Sequence, residues 1–145
     1  MFLYSCPSDR SAKSFQMRKP HVLLVEDHDW TRELYALQLK KSGYIVTSTD
    51  TAQGALDAFD EHKIDLVVLD IVLPHNNGLT FLHERQSYED IRRVPVVIIS
   101  SLHRSDMKVS EQLWQELGVT RYCYKPKTKP ADLQEVIAEV IKNES

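Results

Sequence analysis

The stretch Lys63-Ile64-Asp65-Leu66-Val67-Val68-Leu69-Asp70-Ile71-Val72-Leu73-Pro74 decides the fold. Its apolar run at residues 66–69 does not alternate, which suits a strand buried on both faces of a parallel sheet. The run ends abruptly in a carboxylate, Asp70, and a turn is expected after it at Pro74 and Asn76-Asn77-Gly78. Ligand sites in parallel sheets lie just beyond the carboxyl ends of the strands. Asp70 stands where chemistry is expected.

Working outward, His21-Val22-Leu23-Leu24-Val25 is a second wholly apolar strand candidate and ends in Glu26-Asp27. Tyr44-Ile45-Val46-Thr47-Ser48-Thr49 is β-branched and reads as a more exposed strand. Pro95-Val96-Val97-Ile98-Ile99 ends in Ser100-Ser101, and the strand from Val119 to Tyr124 ends in Lys125-Pro126. Helices are predicted between the strands. The first opens at Asp29, an N-cap or first-turn acid, and presents Trp30, Leu34, Leu37 and Leu39 as its apolar positions before Gly43 stops it. The second opens at Thr51 and carries Ala55, Leu56 and Phe59. A third holds Leu79, Phe81 and Leu82 and dissolves into Glu89-Asp90-Ile91-Arg92-Arg93; a fourth runs through Leu113, Trp114 and Leu117 to Gly118. The last begins near Pro130, with Leu133, Val136, Ile137, Val140 and Ile141 on one stripe. Five strands alternating with five helices predict an α/β doubly wound parallel five-stranded sheet between two helical layers, with right-handed crossovers.

At 145 residues the chain suits one domain. A hydrophobic share of 42%, a charged share of 27% and a net charge of −3 are ordinary for a soluble domain and give no general pull toward nucleic acid. No apolar run approaches the roughly 20 residues of a membrane span. Two cysteines, Cys6 and Cys123, have no metal spacing and fit a reducing, cytoplasmic setting. Residues 1–19 lack the apolar stretch of a secretory signal and carry a charge of +3, so they are expected to form a flexible, mildly basic leader, with Met17 an alternative start. Residues 20–145 are the domain.

Collected at one sheet edge, the strand ends bring together Glu26, Asp27, Asp70, Ser100 and Lys125. Three carboxylates in one crevice repel and call for a cation, and hard oxygen donors favour Mg2+. Lys125 supplies a point charge for a phosphoryl group and Ser100 a hydroxyl, which leaves Asp70 to act as nucleophile and form an aspartyl phosphate. Taken singly, each residue has a plainer account: a turn residue, a surface lysine, first-turn acids. Four strand ends that serve one reaction are a different matter.

In their order and spacing these segments, with Leu73-Pro74, Gly78 and Tyr122-Cys123-Tyr124-Lys125-Pro126, resemble receiver domains of two-component response regulators across about residues 20–143. The resemblance implies a flavodoxin-like (βα)5 fold and Mg2+ held by Glu26, Asp27, Asp70 and the backbone carbonyl of Val72. It implies that Asp70 accepts phosphate from a histidine kinase or phosphotransfer protein. It further implies that Ser100 turns toward the phosphoryl group and Tyr122 turns inward behind it. That would repack the surface of the fourth helix, fifth strand and fifth helix for a downstream protein target, with homodimerisation a further option. A cis Lys125-Pro126 bond is expected on the same ground. Val72 and Leu102 are apolar where faster-hydrolysing relatives often carry polar groups, so a long-lived phosphorylated form is expected. The chain is then a switch that promotes its own phosphotransfer and slow dephosphorylation, not an enzyme in the usual sense, and needs neither nucleic acid nor a membrane. It is expected to be either a stand-alone receiver or a receiver fragment of something larger, with the leader and the charged end Lys142-Asn143-Glu144-Ser145 favouring the former.

Rival readings fit less well. The four glycines, Gly43, Gly54, Gly78 and Gly118, are isolated, so no phosphate-cradling loop exists. A flavin-binding flavodoxin would need such a loop where Glu26-Asp27 stand. A dehalogenase-type phosphatase needs a second Asp where Val72 stands. A phosphorylation-independent interaction module on the same fold would be expected to have lost the acids, the acceptor or the lysine.

Overall fold

A computed structural model describes residues 18–72 and 78–144. Residues 1–17, most of the expected leader, and residues 73–77, where the turn with Leu73, Pro74, Asn76 and Asn77 is expected, lie outside the described residues.

Five parallel strands form one sheet in the order β2-β1-β3-β4-β5. They are β1 (His21–Val25), β2 (Ile45–Thr49), β3 (Leu66–Asp70), β4 (Val96–Ser100) and β5 (Val119–Tyr124). The helices between and after them are α1 (Asp29–Lys41), α2 (Ala52–Glu61), α3 (Gly78–Arg85), α4 (Glu111–Glu116) and α5 (Pro130–Glu144). A helical turn at Glu89–Arg92 precedes β4, and a 3-10 turn at Arg104–Met107 precedes α4. That turn takes up the length between Ser100 and α4. The predicted doubly wound α/β fold is the observed one.

Strand periodicity divides the core. Leu23, Val25, Val67, Leu69, Val96 and Ile98 face Ala52, Ala55 and Ala58 of α2, Phe81 and Leu82 of α3, and Trp114 of α4. Val22, Leu24, Leu66, Val68, Val97 and Ile99 face Tyr35 and Leu39 of α1, and Leu133, Ile137 and Val140 of α5. Strands β1, β3 and β4 are buried along their whole length because both faces are covered, which is why their sequences do not alternate. Edge strand β2 is only half covered, as its Thr/Ser content suggests. Each fully buried Leu, Ile or Val contributes roughly 1.5–3 kcal/mol.

Helix α1 departs from expectation. Tyr35 and Leu39 are its buried residues, whereas Trp30, Leu34 and Leu37 face solvent, Trp30 at 67% exposure. Asp29 takes the first-turn place and pairs with Arg32, while His28 is the N-cap and its Nδ1 accepts from the Thr31 N–H. The phase is held further by Tyr35, whose hydroxyl donates to the Thr128 carbonyl at 3.1 Å. Of the four expected apolar positions only Leu39 enters the core, where it packs with Tyr35.

The Lys125-Pro126 bond is trans, since no described peptide bond is cis. This corrects the expected cis bond. The trans form is the ordinary preference even before proline, and the 3-10 turn Lys125–Lys127 accommodates it.

Sequence reading missed Arg85, a fully buried cation at the end of α3. Its guanidinium donates to the carbonyls of Ile91 (2.8 Å), Val94 (3.1 Å) and Leu117 (2.6 Å). One side chain thus ties together the turn before β4 (Ile91), the residues leading into β4 (Val94) and the end of α4 (Leu117), supplying a donor to the Val94 and Leu117 carbonyls and a second one to Ile91, which also accepts from the Val94 N–H. Burial lowers its pKa to about 10, so it stays charged at neutral pH. Gly118, at φ +81°, leaves the space, because a Cβ there would collide with the guanidinium. Arg85→Met should therefore lower unfolding free energy by about 3 kcal/mol, read from the urea midpoint, because the Val94 and Leu117 carbonyls lose their donor. A loss under about 1 kcal/mol would show that water replaces the guanidinium.

Candidate functional site

The chain runs from β1 outward to β2 and returns to β3 on the other side of β1, so a crevice opens beyond the ends of β1 and β3. Glu26 and Asp27 follow β1 directly, and Asp70 is the last residue of β3. Glu26 is held by its backbone, its N–H donating to the Thr49 carbonyl and its own carbonyl accepting from Arg32. Gly78 lets α3 start close under the site. Its N–H donates to the Ile71 carbonyl at 2.7 Å, and a Cβ would meet the Ile71 Cα at 2.9 Å.

One carboxylate oxygen from each of Glu26, Asp27 and Asp70 lies within 4.8 Å of the others. Asp70 is 3% exposed; its Oδ1 accepts from the Val72 N–H at 2.9 Å and its Oδ2 from Lys125 Nζ at 3.0 Å. Lys125 Nζ also donates to Glu26 Oε1 at 2.7 Å. The lysine extends from the end of β5 across to the ends of β1 and β3. Glu26 is fully buried and its second oxygen, Oε2, has no partner among the described residues.

The charges are unbalanced. Three carboxylates face one ammonium. Burial pushes the Glu26 carboxyl up to about 8, with the hydrogen bond and charge of Asp70 adding to it and Lys125 opposing. Burial works against the Lys125 ammonium, but Glu26 and Asp70 outweigh it and raise its pKa. An acid kept protonated by burial and by acidic neighbours marks a site short of positive charge. A hard divalent cation fits both that deficit and the orphaned oxygen.

Ser100 ends β4 and is fully buried; its Oγ accepts from the Leu102 N–H at 3.1 Å. Tyr122 donates its hydroxyl to the Leu102 carbonyl at 2.7 Å and packs edge-on against Trp114 at 5.7 Å. Burial raises the Tyr122 pKa, with a hydrogen bond to Ser100 pulling the other way. Val72 and Leu102 are 46% and 44% exposed on the segments that follow β3 and β4. The structure thus gathers Glu26, Asp27, Asp70 and Lys125 into one contact group and sets Ser100 at the end of β4, with Tyr122 inside β5 opposite Ile98. Sequence reading did not find the ring stack of His103 on Tyr124, 3.9 Å between centroids; a lone histidine in a loop carries no signal of it.

The family described as "Response regulator receiver domain" matches residues 22–138. The chain belongs to the receiver domain family. Among curated relatives, the polar-differentiation response regulator DivK of Brucella ovis is 30% identical over 115 residues, covering 79% of this chain and 91% of that protein. The probable transcriptional regulator ycf27 of Cyanidium caldarium is 30% identical over 125 residues; the match spans 86% of this chain and about half (47%) of ycf27. Among solved structures, the chemotaxis protein CheY4 of Vibrio cholerae superposes with a TM-score of 0.75 at 21% identity, over 84% of this chain and 98% of that one. The receiver domain of a LuxO repressor protein from Vibrio parahaemolyticus gives 0.74 at 28%, over 86% and 92%. The protein is thus a signalling switch domain of two-component systems. No helix among the described residues is long and apolar enough to cross a membrane.

Proposed function

We propose that this receiver domain is a phosphoacceptor. Asp70 takes a phosphoryl group from a histidine kinase or phosphotransfer protein, with Mg2+ held by Glu26, Asp27, Asp70 and the Val72 carbonyl. The observation that carries this reading is Lys125, whose ammonium lies between Glu26 and Asp70, over a carboxylate cluster short of positive charge. When bound, the metal supplies charge neutralisation for the transferring phosphoryl oxygens.

The chain's own residues supply the rest. An Asp70 carboxylate oxygen forms the new O–P bond as the donor's N–P bond breaks, and the electron pair of that bond stays on the leaving imidazole. The Val72 N–H and Lys125 orient the Asp70 carboxylate, and Lys125 then pairs with the phosphoryl group. Ser100, which accepts from the Leu102 N–H, directs its hydroxyl to the phosphoryl group, with Tyr122 already packed behind it against Trp114, and the α4-β5-α5 surface offered to a downstream protein changes with that contact. The exposed stripe Trp30, Leu34 and Leu37 on α1, which starts beside Asp27, supports an apolar docking face for the donor. A cytoplasmic location belongs to this reading, as that is where such donors act. The phosphorylation-independent alternative is disfavoured by the intact set of acids, acceptor and lysine.

Incubation with acetyl phosphate and Mg2+ should add one phosphoryl group, seen by intact mass and lost on EDTA treatment beforehand. No addition would overturn the reading. The exposed apolar side chains of Val72 and Leu102 cannot orient an attacking water, so the acyl phosphate should persist for minutes or longer after the donor is removed. Leu102→Gln should shorten that lifetime several-fold by holding a water in line. Loss within seconds in the unmodified protein would refute the slow reset.

A further inference from the structure

We propose that Lys127 and Lys129, on the turn between β5 and α5, form a basic edge beside the exposed α1 stripe and select a donor whose docking helix carries acidic side chains along one flank. The inference rests on the phosphoacceptor reading and names the chemistry of the protein that delivers the phosphoryl group.

The turn is fastened at its middle residue. Thr128 donates its N–H to the Lys125 carbonyl at 3.1 Å and its hydroxyl to the Tyr124 carbonyl at 2.8 Å. Its own carbonyl accepts from Tyr35, the buried residue that follows Leu34 on α1. The lysines on either side of Thr128 therefore leave a held turn next to the helix that carries the stripe. Both are exposed, and neither ammonium has a hydrogen bond or ion pair among the described residues. Acids close by are already engaged: Asp132 accepts from the Lys129 backbone N–H, and Asp29 pairs with Arg32. The stripe begins three residues after Asp27 and the turn begins at Lys125, so both surfaces open beside the acceptor.

Trp30, Leu34 and Leu37 recur at the i, i+4 and i+7 spacing with which one amphipathic helix receives another. Burial of such a stripe supplies affinity but distinguishes poorly among apolar helix faces. Charge at its edge supplies the distinction. An acidic flank is drawn to Lys127 and Lys129 and a basic flank is repelled by them. Edge charges of this kind act mainly on the association rate, and salt screens them.

The test compares two routes onto one acceptor in the whole chain. Purified phosphotransfer proteins and histidine-kinase dimerisation domains from the same genome, each carrying labelled phosphohistidine, are mixed singly with the unmodified protein and with the double variant Lys127→Glu, Lys129→Glu. Acetyl phosphate with Mg2+ is the route that needs no docking. The donor that transfers fastest should lose about tenfold in rate against the double variant, and its rate with the unmodified protein should fall as salt rises from about 0.05 M to about 0.5 M. Labelling by acetyl phosphate should be unchanged, and the pair Lys127→Arg, Lys129→Arg should accept transfer as the unmodified protein does. Equal or faster transfer to the glutamate variant overturns the basic edge and leaves the phosphoacceptor reading standing. The same holds for a panel in which no donor transfers while acetyl phosphate labels. A dimer in sedimentation velocity that Leu37→Glu dissociates assigns the stripe to a second copy and likewise overturns the proposal. No labelling of the unmodified protein by acetyl phosphate overturns the phosphoacceptor reading and the basic edge with it.

Discussion

Asp70→Asn should reduce acyl-phosphate formation to background while the protein remains folded. An amide oxygen is no nucleophile toward phosphorus, and the substitution removes the negative charge that Lys125 Nζ meets at 3.0 Å. The amide still offers an oxygen to the Val72 N–H, so the local backbone keeps its tie, and Lys125 retains Glu26 at 2.7 Å. The measurement is intact mass after acetyl phosphate and Mg2+, beside circular dichroism of the same sample. Undiminished labelling of a folded Asp70→Asn variant would place the acceptor elsewhere, Asp27 and Glu26 being the nearest carboxylates.

Stability should fall with rising pH in the absence of metal, and Mg2+ should restore it. The Glu26 carboxyl is raised from 4.5 to about 8 in the folded chain, by burial first and by Asp70 second. Between those values the folded state holds a proton that the unfolded chain has released. Its contribution is therefore complete below about pH 4.5 and is lost as the pH climbs through about 8. Across that window the change is on the order of 2–4 kcal/mol. The raised Lys125 ammonium contributes below its ordinary 10.5, so it stays constant over the same range and does not confound the slope. Melting temperatures of the protein and of Glu26→Gln, taken from about pH 5 to pH 8.5 with and without Mg2+, should diverge. The glutamine variant should lack both the alkaline loss and most of the metal response. Parallel curves would remove Glu26 from the site's electrostatics.

Most of the fold and most of the site are legible in the amino-acid sequence. Strands β1, β3 and β4 announce themselves because burial on both faces demands uninterrupted apolar runs, and the sharp change to Glu26, Asp70 or Ser100 marks where each run leaves the sheet. Parallel topology then forces those ends to one edge. The geometry that brings carboxylate oxygens of Glu26, Asp27 and Asp70 within 4.8 Å of one another is a consequence of register, and register follows from the same apolar pattern.

Other features depend on distances that no linear pattern contains. Which face of α1 meets the sheet is decided in three dimensions: Tyr35, tied to Thr128, and Leu39 are buried, while Trp30, Leu34 and Leu37 of the four expected apolar positions face solvent. The exposed stripe that results is the face proposed above for docking the donor. Arg85 reads as an ordinary end-of-helix cation, and only tertiary folding brings the carbonyls of Ile91, Val94 and Leu117 around it. The His103 stack likewise joins residues on two separate elements. The sequence by itself determined the strands, the sheet class and the identity of the strand-end residues, because burial and strand ends leave periodic, local marks. The tertiary structure alone decided helix rotation, the buried Arg85 and the ties on Leu102 and His103, because side-chain contacts between distant segments depend on where the backbone carries them.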